Sequence, residues 1–398
     1  MYQVHPDFKP YKPVSSEELI RIQNEPVLDL SGLDNPIIIE KIELIRTHKQ
    51  WIVRTTSRDG MVGLGISNSR MPISYPMLTD LMAPYCIGKD ARTLEKLIDE
   101  IYVYKSNYKL AGIPYYVALS ALETSILDLL AKCRKVSLGG MFGPKIHDRV
   151  NVYAASGNRG NTAEEELEIL KRRVDEIGAK AIKFKIGGRM SKNADSLAGR
   201  SEELIYLTRK YFGDDFIIHA DGNGSYDAPE AIRYGKILED INAYFYEEPC
   251  PFDDLEENRK VREALTIPIA FGEQETSLRR FRWLVERHAA SVLQPDILYN
   301  GGLIRTTKVA RMAAAADMTV TPHTSDQFCF VYILHFTSYT PNIGKYQEDK
   351  QGLALANELM DGVLTMKDGE LNIPDVIGVG VREDHPWIKE AEVLATIS

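Results

Sequence analysis

The stretch AIKFKIG at residues 181–187 is followed by FIIHADG at 216–222, AYFYEEP at 243–249 and IPIAFGE at 267–273. Outward from these runs the pattern continues with VNVYAAS from residue 150, and with SVLQPDI, MTVTPHT and IGKYQED from residues 291, 318 and 343. Amphipathic helical segments separate the runs, and strands that alternate with helices form parallel sheets. Eight such repeats predict an α/β fold with a closed TIM-like barrel, and an open, doubly wound sheet is the second choice.

The residues before the barrel pattern predict a separate domain. Two strand-like runs, IIIEKIELIRTH and QWIVRTTSRDG, precede helical patterns over roughly 90–106 and 114–135. Strands followed by helices are typical of an α+β domain. After about residue 360 the sequence becomes turn-rich and strand-like, and we expect it to return to that domain. The predicted units are an N-terminal extension (1–37), an α+β domain (38–145), the barrel (146–360) and a returning C-terminal segment (361–398).

The charge balance excludes several classes of partner. The 398 residues include 48 basic and 57 acidic side chains, a net charge of −9, which argues against nucleic acid and anionic membranes. The four cysteines contain no CxxC pair, and we expect reduced thiols. No run of 18 apolar residues and no apolar leader occur, so we expect a cytoplasmic enzyme that binds no membrane.

Carboxylates end three consecutive predicted strands. Asp221, Glu247 and Glu273 occupy these positions, 26 residues apart in each case. Neighbouring strands lie about 4.8 Å apart, so the three acids would crowd together at one rim and repel each other. A hard divalent cation relieves that repulsion, and an all-oxygen ligand set suits Mg²⁺. Taken singly, each acid is more often a solvated loop residue or a helix cap.

Two lysines share one face of the preceding strand. Lys183 and Lys185 are two residues apart, so both side chains would point into the barrel. We expect their mutual repulsion and a nearby cation to lower their pKa values, which leaves one of them able to act as a base. The alternative is a structural role, in which both lysines only form ion pairs with acidic side chains.

A histidine and an aspartate follow later strands. Asp296 lies on the sixth run and His323 ends the seventh. A carboxylate beside an imidazole fixes its tautomer and stabilises its protonated form. With the metal between them, Lys185 and His323 would face opposite sides of a bound substrate. Removal of a proton next to a carboxylate requires stabilisation of the resulting enediolate, which a divalent metal supplies.

Together these motifs resemble the enolase superfamily, most closely its mandelate-racemase-like branch. The resemblance covers nearly the whole chain and includes ALSALETSILDLLAKCRKVSLGGMFG at 118–143, which is similar to the segment that joins the capping domain to the barrel. It implies a capping domain over a (β/α)₇β barrel, one Mg²⁺ per subunit that Mn²⁺ could replace, and proton removal alpha to a carboxylate. A small carboxylate substrate and a homo-oligomer are further expectations.

The resemblance also implies residue roles. Lys185 is the second lysine of the family's KxK motif and would be the base, with Lys183 beside it. In TPNIGKYQE, Glu348 takes the position of an acid that hydrogen-bonds the substrate carboxylate. One departure is Tyr299, which stands where the family often has arginine or lysine.

Polar residues near the strand ends bear on the substrate. They are Asn158, Arg159, Asn223, Tyr226, Asn300 and Gln327. Unpaired hydroxyl groups are costly in a closed site, so these side chains favour a polyhydroxy substrate, with Asn158, Arg159 and Asn223 as binding residues. The sequence therefore favours an acid-sugar dehydratase. A racemase, epimerase or cycloisomerase is the main alternative, and a Schiff-base aldolase or a metal-chelate binder without turnover are further ones.

A cover for the barrel mouth is also expected, because an enediolate must be protected from water. The connection between the first two strands, around His48, is short. We therefore expect the N-terminal extension, or the loop around residues 67–75, to cover the mouth.

Overall fold

The structure, a computed structural model, describes residues 2–350 and 353–398. The strands in this part of the chain are β1 (Ile39–Arg46), β2 (Trp51–Ser57), β3 (Val62–Ile66), β4 (Arg149–Ala155), β5 (Ala181–Lys185), β6 (Ile217–Asp221), β7 (Phe245–Glu247), β8 (Ile269–Phe271), β9 (Val292–Leu293), β10 (Thr319–Val320), β11 (Tyr346–Asp349), β12 (Met366–Lys367), β13 (Glu370–Asn372) and β14 (Glu392–Ile397).

The same residues form fourteen α-helices. They are α1 (Ser16–Asn24), α2 (Met71–Pro76), α3 (Ala83–Cys86), α4 (Leu94–Val103), α5 (Ile113–Arg134), α6 (Ala163–Ile177), α7 (Arg200–Phe212), α8 (Ala228–Asp240), α9 (Leu255–Ala264), α10 (Leu278–Glu286), α11 (Leu303–Ala315), α12 (Cys329–Tyr339), α13 (Leu353–Leu359) and α14 (Pro386–Lys389).

The parallel strands β4 to β11 form the barrel. Strands β4 to β10 pair in chain order, and β11 pairs with β4. A parallel bridge between Val320 and Ile343 closes the ring beside β10. Helices α6 to α12 connect consecutive strands. This arrangement is the predicted (β/α)₇β barrel, and the open doubly wound sheet is excluded.

The smaller antiparallel sheet has the order β14-β1-β2-β3 and packs on α5. Gly63 and Gly65 permit this packing, because a Cβ atom on either residue would lie 2.0 Å or 2.1 Å from a backbone oxygen of α5. Strand β14 pairs with β1, so the C-terminal segment does return to this sheet. The domain boundaries given above stay a prediction.

Helix α5 is long and apolar enough to cross a membrane by length and composition alone. However, 89% of its apolar window is buried inside the protein. Burial of this kind is that of a core helix, and it accounts for the apolar composition without a lipid environment.

The first part of the N-terminal extension, residues 2–12, lies at the barrel end opposite the mouth. The Tyr2 hydroxyl donates to the carbonyl of Ala243 at 3.0 Å, and the Tyr244 hydroxyl donates to Asp7 at 2.9 Å. The amide of Lys12 donates to the carbonyl of Ala316 at 3.0 Å. These partners precede β7 and β10, whereas catalytic groups of such barrels lie at the carboxyl ends of strands. The expectation that the extension covers the mouth is therefore wrong.

Deletion of residues 1–30 should destabilise the protein without changing kcat or KM. Leu19 is fully buried and Val27 is 3% exposed, and α1 packs on α10 and α11. Each lost core side chain costs about 1.5–3 kcal/mol, so the free energy of unfolding should fall by several kcal/mol. Denaturant unfolding and steady-state kinetics on the same preparation check this. A raised KM at an unchanged unfolding midpoint would contradict the placement.

Candidate active site

Three buried carboxylates converge at the carboxyl ends of neighbouring strands. Asp221 ends β6 and lies opposite Glu247 at the end of β7, and Glu273 follows β8. One oxygen from each can be chosen so that all lie within 4.8 Å of one another. The structure thus brings the predicted metal ligands together.

The electrostatics of this carboxylate cluster favour additional positive charge. Burial and the nearby Asp221 raise the pKa of Glu247 to about 8. Burial and Glu273 raise the pKa of the adjacent Glu248 well above its usual range, and Glu248 Oε1 is buried without a hydrogen-bond partner among the described residues. An all-oxygen set with this repulsion fits a hard divalent cation.

The two lysines of β5 point into this cluster, as predicted. Lys183 Nζ lies 2.7 Å and 2.8 Å from the two oxygens of Glu247 and 2.7 Å from Glu348 Oε1. Lys185 Nζ contacts Asp221 Oδ2. Gln294, which the sequence reasoning did not single out, donates to Glu247 Oε2 at 2.9 Å.

The expected lowering of lysine pKa values does not hold for Lys183. Burial lowers its pKa, but the negative charges of Glu247 and Glu348 outweigh burial and raise it well above the usual range. Lys183 therefore lies where its ion pairs orient Glu247 and Glu348.

His323 and Asp296 form the predicted pair. A parallel bridge joins these two residues, and His323 Nδ1 lies 2.8 Å from Asp296 Oδ2. The other oxygen of Asp296 accepts the backbone N–H groups of Leu298 and Tyr299 at 2.9 Å and 3.0 Å. His323 Nε2 lies 3.3 Å from Glu273 Oε2. The contact with Asp296 thus orients the imidazole of His323 and turns Nε2 toward the cluster.

Lys350 is a site residue that sequence reasoning missed. Its Nζ lies 2.8 Å from His323 Nε2 and 3.2 Å from Glu348 Oε2, and it donates to the carbonyl of Thr324 at 2.9 Å. Glu348 therefore has a lysine at each oxygen, Lys183 and Lys350. The sequence signal for Lys350 was its position two residues after Glu348, directly after the eighth strand.

Of the polar residues predicted near the strand ends, two contact the carboxylate cluster or each other, and two are exposed to solvent. The side-chain oxygen of Asn223 accepts a hydrogen bond from Arg159 at 2.8 Å, and the backbone N–H of Asn223 donates to Asp221 Oδ1 at 2.8 Å, which connects both residues to the cluster. Asn158 and Gln327 are exposed and make no side-chain hydrogen bond within the described residues.

Tyr226 and Asn300 do not belong to the rim. Tyr226 is 1% exposed and stacks on Tyr234 of α8, and Asn300 is fully buried and contacts Thr306 of α11 at 3.4 Å. Both side chains pack in the wall of the barrel, so their polarity gives no information about the substrate. The expectation that they are polar groups of the rim is wrong.

The loop at residues 67–75 lies over the barrel mouth. Asn68 donates to Ser325 at 3.1 Å, and the amide of Ser69 donates to Asp326 at 3.1 Å, both in the segment after His323. Arg70 donates to the hydroxyl of Tyr299 at 3.1 Å. This loop thus places the positive charge of Arg70 beside Tyr299.

Comparison with known proteins agrees with this fold. Residues 36–143 match the N-terminal domain of the mandelate racemase / muconate lactonizing enzyme family, and residues 165–386 match the enolase C-terminal domain-like family. An L-talarate/galactarate dehydratase of Salmonella typhimurium is 28% identical over 335 residues, which cover 83% of this chain and 79% of that protein.

Two solved structures illustrate the likeness in fold. A protein of Roseobacter denitrificans, for which a racemase activity has been suggested, is 30% identical, with a TM-score of 0.84 over 91% of this chain and 100% of that one. A mandelate racemase/muconate lactonizing protein of Paracoccus denitrificans, solved with magnesium, is 23% identical, with a TM-score of 0.78 over 90% and 99% of the two chains.

Proposed function

The chain belongs to the mandelate racemase/muconate lactonizing enzyme family of the enolase superfamily, and we propose that it dehydrates an acid sugar to a 2-keto-3-deoxy acid with Mg²⁺. Enzymes of this family act on small molecules. The observation that carries the proposal is that Lys185 and His323 both border the carboxylate cluster, one beside Asp221 and the other beside Glu273.

Asp221, Glu247 and Glu273 would hold the metal ion. Bound there, Mg²⁺ supplies a Lewis acid that stabilises negative charge developing on the substrate carboxylate. Lys183 keeps Glu247 and Glu348 in place through its ion pairs at 2.7 Å to each. The buried, preorganised charges make the site ready for a charged intermediate without rearrangement.

Lys185 and His323 divide the proton transfers in this proposal. One group takes the proton from the alpha carbon, and the other donates a proton to the departing hydroxyl group on the beta carbon. The C–H and C–O bonds break, water leaves, and the resulting enol becomes the keto acid. Asp296 orients His323 for its transfer through the 2.8 Å contact to Nδ1.

Racemisation or epimerisation is the second candidate. The same two groups could remove a proton on one face and return it on the other, and the suggested activity of the Roseobacter denitrificans protein favours this. The relative named a dehydratase and the polar atoms of Arg159 and Asn223 beside the cluster favour loss of water from a polyhydroxy acid. A cycloisomerase has no specific observation in its favour.

A panel of sugar monoacids and diacids, incubated with enzyme and Mg²⁺, tests the proposal. We expect at least one acid to give a 2-keto product, detected by its semicarbazone, and none to do so in excess EDTA. Exchange of the alpha proton without keto acid across the whole panel would instead support the racemase or epimerase.

A further inference from the structure

Two arginines, Arg159 and Arg189, lie near each other beside the carboxylate cluster. Arg159 follows β4 and Arg189 follows β5. Asn223 Oδ1 accepts hydrogen bonds from both, at 2.8 Å from Arg159 Nη2 and 3.4 Å from Arg189 Nη2. The two guanidinium groups therefore lie near each other, and the exposed Arg189 adds positive charge beside the partly buried Arg159.

Neither arginine of this pair is neutralised by the protein. Across residues 2–350 and 353–398, no carboxylate forms an ion pair with either guanidinium group, and Arg159 Nη1 donates to no acceptor. Burial lowers the pKa of Arg159, the attraction of Asp221 partly offsets this effect, and Arg189 adds to the lowering. A partly buried cation without a counter-ion is costly, and an anion beside it would recover that cost.

Arg200, which lies close by, shows how a structural arginine differs. It donates to the carbonyls of Asn161 and Lys185 at 2.7 Å and 3.0 Å, and it pairs with Glu166 at 3.9 Å. Its charge and its donors are satisfied by the protein itself. The pair formed by Arg159 and Arg189 keeps unused donors and unpaired charge at the mouth.

We propose that Arg159 and Arg189 bind a second carboxylate, at the far end of the substrate from the reacting one, so that the substrate is a sugar diacid. The inference rests on the proposed function, which places the first carboxylate at the metal ligands. Asn223 links the two places, because its amide N–H donates to Asp221 and its side chain accepts from the arginines. A guanidinium group matches a carboxylate with two parallel hydrogen bonds, which a neutral hydroxymethyl end cannot form.

Matched acids isolate this interaction. Each hexaric acid is compared with the hexonic acid of the same configuration, which differs only at carbon 6. Calorimetry on the Mg²⁺-loaded protein gives the affinity, and keto-acid formation gives kcat/KM. We expect the wild type to bind the preferred diacid at least about tenfold more tightly than its monoacid.

Substitution of Arg159 by glutamine should then weaken binding of the diacid on the order of 100-fold and weaken binding of the monoacid much less. Arg189→Gln should have a smaller effect in the same direction, and Arg159→Lys should restore part of the affinity. Arg172→Gln, on the exposed face of α6, is the matched control and should change the affinity for neither acid.

Three results would overturn the inference. The first is that Arg159→Gln loses the same factor of affinity for the diacid and for the monoacid. The others are that the wild type binds the monoacid as tightly as the diacid, or that it binds no diacid. Failure of the inference is separable from that of the proposed function. If the diacid binds in a way that depends on Arg159 but no keto acid forms, the second carboxylate site stands and dehydration is rejected. If keto acid forms equally well from the diacid and the monoacid, dehydration stands and the second carboxylate site is rejected.

Discussion

Replacement of Lys185 by alanine should lower kcat by about 10²- to 10⁴-fold, because a positioned proton-transfer group contributes a factor of that size. His323→Asn should have a loss of similar size, since asparagine keeps a polar group near Asp296 but cannot transfer a proton. Both residues border the same carboxylate cluster. Steady-state keto-acid formation measures the effect.

Two controls separate this loss from misfolding. Lys180→Ala removes an exposed lysine just before the same strand and should leave kcat unchanged. Thermal unfolding of Lys185→Ala and His323→Asn should remain a single cooperative transition. Turnover close to wild type in either variant, with the fold intact, would reject the role of that residue.

Loss of the metal site has the second largest expected effect. Asp221→Asn removes one carboxylate from a set whose oxygens lie within 4.8 Å, and it should abolish both Mg²⁺ binding and keto-acid formation. Excess EDTA should abolish the activity of the wild type, and Mg²⁺ or Mn²⁺ should restore it. The folding stability should fall less than metal binding does, because the substitution also relieves carboxylate repulsion.

The control for Asp221→Asn is Glu176→Gln, an exposed acid on α6. Calorimetric titration with Mg²⁺ should give one site per subunit in the control and in the wild type. Full activity of the wild type after chelation, or unchanged Mg²⁺ affinity in Asp221→Asn, would contradict the assignment of the ligands.

The sequence predicted the fold and the centre of the site because both depend on chain order. In a parallel barrel, the last residue of each strand lies at one end, so the strand pattern alone brings Asp221, Glu247 and Glu273 together. The same rule predicted the contact between Asp296 and His323, and the structure has it at 2.8 Å.

Chain order does not predict the direction in which a side chain after a strand points. Tyr226 and Asn300 follow strands in the same way as Asn223, yet they turn into the barrel wall, because neighbouring helices offer them packing partners. Lys350 reaches His323 only through the folding of the eighth strand beside the seventh. The pKa of Lys183 depends on how many carboxylates surround it, which no spacing in the sequence specifies.

The position of the N-terminal extension was also unpredictable from its own residues. The prolines and aromatic residues of its first part give no periodic face, and the partners of that part lie more than 200 residues away, such as Ala243 for Tyr2 and Val285 for Tyr11. Contacts of this kind are set by the finished barrel. The structure therefore changes the expected consequence of deleting the extension from altered kinetics to lower stability.

The central claim is that the enzyme removes the alpha proton and expels the beta hydroxyl group. Proton NMR of the product formed in D₂O, from the best acid of the panel with Mg²⁺, tests it most directly. Dehydration predicts a 2-keto-3-deoxy acid with one solvent deuteron at carbon 3, placed there when the enol becomes the ketone. Deuterium at carbon 2 of an intact sugar acid, without keto acid, would contradict the account.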